Sequence, residues 1–295
     1  MDHDLVGASW ESNSRGMVRS KPDSGAGWCR ATTMPRSLRL PPEIFDLIVD
    51  QLHDEQVTLK ACCLVSKSWI PRIRRHLFAC VSFDTLLHPF ALWMKAFPDP
   101  SNSPAHHTRS LTIHRFQDAT TTDADVASYF RTFHNVVRLH FKFLIWTNHE
   151  NPLISFYGFS HTVRSLRLSH TSFEVFDLVC SFPLLEDLAL VNFRPGSGTA
   201  EWSAPSTSPN LTGSIDLSSM GGIRLAIRRL LDFPNGLRFA EITASCLVRD
   251  LEPMTDLVSR CSGTLEYLSL YCFPSGEFPP ARLHGRSTPY HCSWT

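Results

Sequence analysis

Leu185-Glu186-Asp187-Leu188-Ala189-Leu190 decides how this chain is read. Its spelling is apolar-x-x-apolar-x-apolar, and the closing alternation is the period of a strand with one buried face. The same spelling occurs upstream as Val136-Val137-Arg138-Leu139-His140-Phe141 and Val163-Arg164-Ser165-Leu166-Arg167-Leu168. Downstream it returns as Leu265-Glu266-Tyr267-Leu268-Ser269-Leu270. Weaker copies are Ser110-Leu111-Thr112-Ile113, Ser214-Ile215-Asp216-Leu217 and Leu237-Arg238-Phe239-Ala240-Glu241-Ile242. The middle positions fall at 111, 139, 166, 188, 215, 240 and 268, in steps of 28, 27, 22, 27, 25 and 28. Ala79-Cys80-Val81-Ser82-Phe83 is an earlier candidate strand. Between these strands, 123–133, 173–182, 222–233 and 251–261 carry apolar residues at helical spacing. A strand and a helix on one pitch predict an α/β chain of stacked parallel strands, because no single unit can bury its own apolar strand face.

Upstream of this ladder, Leu40-Pro41-Pro42-Glu43-Ile44 opens a helix. Prolines in a first turn lose no hydrogen bond, and Glu43 sits at the positive end of the helix dipole. Ile44, Leu47, Ile48 and Leu52 make one apolar stripe. A second helix is expected over 57–65, and a third carries Trp69 and Ile73 toward Leu77 and Phe78, with Pro71 in its first turn or marking a kink. The expected organisation is a disordered leader over 1–37, a three-helix unit over 38–83, strand–helix repeats over 84–273 and an irregular Pro-rich tail over 274–295. Met34 is a second candidate start.

Composition narrows the function classes. The 295 residues carry 28 basic and 28 acidic side chains, so the chain lacks the basic footprint of a nucleic-acid or membrane-surface binder. No apolar run reaches the roughly 18 residues that span a bilayer, and the N-terminus has no apolar signal segment. Nine cysteines without a C-x-x-C pair read as reduced core thiols in the cytoplasm or nucleus. His106, His107 and His114, followed by Asp118, Asp123 and Asp125, match no regular metal spacing. The run Arg72, Arg74, Arg75, His76 reads as a solvated helix face. Nothing assembles a nucleophile with a base and oxyanion donors, so neither catalytic residues nor a metal or cofactor are expected, and the chain reads as an interaction protein rather than an enzyme.

Leu40-Pro41-Pro42-Glu43-Ile44, Leu52 and Leu64-Val65-Ser66-Lys67-Ser68-Trp69, with Leu77-Phe78 and Val81-x-Phe83 after them, resemble the F-box motif as it occurs in proteins of filamentous and mushroom-forming fungi. The ladder that follows is similar to leucine-rich repeats, whose periods run about 20–29 residues. The resemblance implies a three-helix F-box followed by a leucine-rich-repeat-like solenoid. It implies the substrate-recognition adaptor of a Skp1–cullin–F-box ubiquitin ligase, with a Skp1-type adaptor and a cullin as partners and an unidentified protein as target. By match to the motif, Leu40, Pro41, Ile44, Ile48, Leu52, Leu64, Val65 and Trp69 belong in or just behind the Skp1 contact. Part of this set must also serve the unit's own core, with Leu47, Leu52 and Leu64 the expected candidates. The alternative function is a Skp1-binding or repeat scaffold protein acting outside ubiquitin ligation.

In the apolar-x-apolar strands, the intervening residues line the open face of the sheet. The early strands place Arg138, Lys142 and Arg167 there, while the later ones place Asp187, Asp216, Glu241, Phe239, Tyr267 and Tyr271. These charged and aromatic positions are the expected target-binding residues, basic toward the F-box-like end and acidic-aromatic at the far end. Chance ordering of ordinary polar strand positions is the competing reading.

Overall fold

The computed structural model describes residues 41–84, 89–114, 130–143, 161–171, 176–193, 209–218, 222–273 and 290–294. The expected leader over 1–37, Leu40, most of the helical segment before Phe130, and residues 274–289 of the tail lie outside the described residues.

Three short helices come first: α1 (Pro42–Gln51), α2 (Gln56–Val65) and α3 (Ile70–Leu77). Ser66 caps the single 3-10 turn that joins α2 to α3 by accepting from the Ser68 N–H. Pro71 lies in the first turn of α3, where its missing N–H is not needed. The core of this segment is small. Val49, Leu59 and Ile73 are buried, with Leu52, Cys62, Cys63, Trp69 and Leu77 packed around them. The spacing explains the choice, since Leu59, Cys62 and Cys63 share one face of α2.

The chain then builds a nine-stranded sheet in strict sequence order. The strands are β1 (Cys80–Asp84), β2 (Ser110–His114), β3 (Arg138–Lys142), β4 (Ser165–Ser169), β5 (Asp187–Val191), β6 (Ser214–Ser218), β7 (Glu241–Leu247), β8 (Tyr267–Phe273) and β9 (Tyr290–Trp294). The first eight are parallel. Register aligns Val81, Leu111, Leu139, Leu166, Leu188, Ile215, Ile242 and Leu268 in one row. Behind that face, α4 (Pro89–Ala96), α5 (Phe176–Cys180), α6 (Ile223–Leu231) and α7 (Leu251–Cys261) contribute to the same core. Ile223, Ala226, Ile227 and Leu230 form the buried stripe of α6, and Met254, Leu257 and Cys261 that of α7.

Two details correct the sequence reading. The seventh strand registers on Ile242, not on Ala240, which turns the steps of 25 and 28 into 27 and 26. Phe239 is therefore not on the open face; it is fully buried just before the strand begins. The aromatic ring was too apolar to leave outside, and the register obeys the burial of Ile242 and Ala244. The second correction concerns the tail. Tyr290–Trp294 is not irregular but pairs antiparallel with β8, so the last parallel strand is not left with an open hydrogen-bonding edge along Leu268–Cys272.

Candidate functional site

Two surfaces carry the residues singled out in the sequence. On the helical segment, Asp50 anchors α1 to α3. Its carboxylate accepts hydrogen bonds from the Arg72 guanidinium, at 2.7 Å from Nε, and faces His76 Nε2 at 2.8 Å. The Arg72 hydrogen bond, helped by His76, holds the Asp50 carboxyl well below the usual carboxylate range even though partial burial opposes this. The 72–76 run is therefore not simply a solvated face. Arg72 and His76 turn inward, while Arg74 and Arg75 stay exposed.

With α1 pinned this way, much of its apolar stripe points outward. Ile44, Leu47 and Ile48 are exposed, and α2 exposes Val57, Leu64 and Val65 at 82%, 90% and 70%. Leu47 and Leu64 thus lie outside the small core that was expected to hold them; Leu59 and Ile73 fill it instead. Pro41 is exposed at the start of α1. Leu52 and Trp69 sit half-buried against the core, and the Trp69 ring lies 5.2 Å from that of Phe45. Of the eight positions assigned by resemblance to the adaptor contact, Pro41, Ile44, Ile48, Leu64 and Val65 face outward, and Leu52 and Trp69 support them from behind.

The second surface is the open face of the sheet. Register sets Arg138 beside Ser165, His140 beside Arg167 and Lys142 beside Ser169. Further along, Asp216 neighbours Ala189 and Thr243, and Glu241 neighbours Ser214 and Tyr267. Arg138, Arg167, Glu241 and Tyr267 are exposed, while Lys142 and Tyr271 are half-buried. The charge order along the strands follows the expectation, but two acidic residues are engaged within the sheet. Asp187 Oδ1 accepts from the Ser214 N–H at 2.7 Å and from its hydroxyl at 3.0 Å. Gly213 lies so close that a Cβ there would collide with this carboxylate, so Asp187 is a structural lock between β5 and β6 rather than a free target contact. Asp216 accepts from Ser218 and meets Arg167 at 4.0 Å, an ion pair that crosses the small Ala189.

Between β3, β4 and β5 the face dips into an open recess of about 530 Å³ lined by His140, Lys142, Phe143, Arg167, Ser169, His170 and Val191. His140 Nε2 lies 3.0 Å from the Ser169 hydroxyl. Burial, reinforced by Lys142, Arg167 and His114, pushes its pKa down to about 3, so the ring is neutral at ordinary pH. Phe143 and His170 follow their strands in the left-handed region, at φ 55° and 57°, and their rings stack 4.4 Å apart. Their N–H groups bond the Ser169 and Val191 carbonyls at 2.8 and 2.9 Å, which holds that unusual backbone in place. Asn192 repeats the conformation after β5. The wall of this recess was not foreseen from the sequence, because left-handed positions are signalled by Gly or Asn and here hold Phe and His.

Among the described residues, no group of three His, Cys, Asp or Glu side chains is placed to hold a metal ion, and no helix is long and apolar enough to cross a membrane. The chain matches no protein-family model, no curated protein and no solved structure.

Proposed function

We propose that this chain is a substrate-recognition adaptor of a Skp1–cullin–F-box ubiquitin ligase, with 38–83 as an F-box and the strand–helix region as a leucine-rich-repeat-like solenoid that receives the target. The observation that carries the reading is the outward apolar face of α1 and α2. Ile44, Leu47, Ile48, Val57, Leu64 and Val65 are exposed on a segment that, among the described residues, fully buries only three apolar side chains. Burying one such side chain in a partner's groove contributes about 1.5–3 kcal/mol before ordering costs, which favours a protein partner over water. The motif spelling around Leu40-Pro41 and Leu64-Val65-Ser66-Lys67-Ser68-Trp69 supports a Skp1-type adaptor as that partner. In this reading the adaptor performs no chemistry; the cullin-bound enzyme does, and the sheet's open face selects what it modifies.

Co-expression of the full chain with Skp1 tests the proposal. A stoichiometric complex is expected, and Ile48→Asp with Leu64→Asp should abolish it while the sheet stays folded. A full chain that passes through Skp1 unretained sinks the assignment. Retention of Skp1 without a cullin, and without shortened lifetime of any captured protein, turns the reading to a scaffold acting outside ubiquitin ligation.

A further inference from the structure

The recess on β3–β5 is built around a square of four side chains. His140 and Lys142 stand two apart on β3, and Arg167 and Ser169 stand two apart on β4, each beside its register partner. Such partners lie about 4.8 Å apart across the sheet, so all four tips reach one volume. One diagonal is closed by the His140–Ser169 contact at 3.0 Å. The other diagonal holds two like charges, Lys142 and Arg167. On the β2 side, the register neighbour of Lys142 is His114, which brings no negative charge. Among the described residues Lys142 meets no carboxylate within ion-pair distance, and Arg167 has only the long contact to Asp216 at 4.0 Å. Ala189 and Val191 give a low floor on β5, and the stacked Phe143 and His170 rings give a wall fixed by two backbone hydrogen bonds.

We propose that this recess is an oxyanion-binding site that seats one phosphorylated or carboxylate side chain of the target, with Lys142 and Arg167 as counter-charges and Ser169 and His140 as polar partners. Two cations on one diagonal repel each other until an anion sits between them, and an anion with several oxygens can take hydrogen bonds from both. With His140 neutral and its Nε2–H donating to the Ser169 hydroxyl, that hydroxyl is left to donate to the anion. The Phe143 ring in the wall and Ala189 and Val191 in the floor offer apolar contact for the carbon stem that carries the anion, and the space exceeds what a bare ion fills. Identifying the carrier as the target's chain rests on the receptor reading of this face, whereas the oxyanion site itself does not.

The test uses the full chain, with Skp1 present or absent, at low salt. The probes are inorganic phosphate and three blocked pentapeptides, Gly-Gly-X-Gly-Gly with X as phosphoserine, glutamate or serine. The readouts are titration calorimetry and the ring resonances of His140. The phosphoserine or the glutamate peptide should bind saturably and move the His140 resonances, and which of the two binds more tightly identifies the anion. The serine peptide should do neither. Lys142→Gln with Arg167→Gln should weaken binding by about tenfold or more, and raising the salt should weaken it in the wild type. Ala189→Glu, which places a carboxylate beside Arg167 on the open face, should also weaken it by engaging that cation. Anionic peptides that fail to bind, or that bind both variants as tightly as wild type, overturn the proposal. Skp1 retention is scored separately, so either result stands if the other fails.

Discussion

Helices α2 and α6 are nearly the same length, ten and nine residues, and both are rich in aliphatic side chains. They spend them differently. Helix α6 buries Ile223, Ala226, Ile227 and Leu230 against the sheet, while α2 buries Leu59 and leaves Val57, Leu64 and Val65 in solvent. The cause lies in what stands opposite. A strand–helix unit meets a neighbour on both sides, so every apolar stripe has a place to go. Three helices spanning fewer than forty residues enclose room for only a few side chains, and the remainder of an apolar stripe stays outside. The Asp50–Arg72–His76 cluster compensates by tying α1 to α3 through charge. Apolar exposure here is concentrated where the fold cannot absorb it, and the adaptor reading places its docking face there.

The sharpest way to break that comparison is to empty the small core. Ile73→Ala removes one of three buried side chains, and such truncations cost about 2–5 kcal/mol. Amide exchange should accelerate through 42–77 while β3–β6 keep their protection, because the sheet's core is separate. Equal loss of protection in β3–β6 would mean that the helices and the sheet unfold as one unit.

A second prediction reaches into the sheet, where one polar side chain behaves unlike its neighbours. His140 has a folded pKa of about 3 against an ordinary value of 6.5. The unfolded chain therefore binds a proton there between those values while the folded chain does not, and stability must fall as pH drops through that window. One such group changes stability by at most about 1.4 kcal/mol per pH unit, and because solvent screens this partly exposed ring, the loss between pH 7 and pH 5 should be below about 2 kcal/mol. His140→Gln removes the titrating ring. Denaturation of wild type and variant at the two pH values should show a smaller acid loss in the variant; parallel losses would show that the ring is solvated.

How much of this was legible beforehand depends on which physical signal each residue carries. Leu111, Leu139, Leu166, Leu188, Ile215 and Leu268 were placed correctly because period-two alternation and a near-constant pitch are properties of the sequence itself. The seventh strand slipped by two residues because Leu237, Phe239 and Ile242 are all apolar, and pattern alone cannot choose among them. The Asp50 cluster spans 22 to 26 residues of sequence, so nothing local announces it. Asp187 looked like a surface charge because its partners, the Ser214 amide and hydroxyl, are a whole repeat away. The recess needed both register and backbone conformation. Lys142 and Arg167 were visible as charges, but their diagonal around His140 and Ser169 exists only once β3 and β4 are side by side.

The smallest expected effect is the most diagnostic for the docking face. Leu64 is 90% exposed and Leu59, five residues earlier on the same helix, is fully buried. If Leu64 belongs to a surface waiting for a partner, Leu64→Ser removes no packing from the free chain, and its stability should change by less than about 0.5 kcal/mol. Leu59→Ala, a comparable loss of apolar volume, should cost several-fold more. The free protein should become less prone to self-association, since an exposed apolar side chain has left the surface. Denaturant unfolding of the two variants, with sedimentation of each, separates the outcomes. A Leu64→Ser chain as destabilised as Leu59→Ala would place Leu64 in a core, remove the apolar face on α2 and with it the observation on which the adaptor reading stands. A chain of unchanged stability that no longer retains Skp1 would tie the binding energy to the side chains the three-helix fold leaves outside.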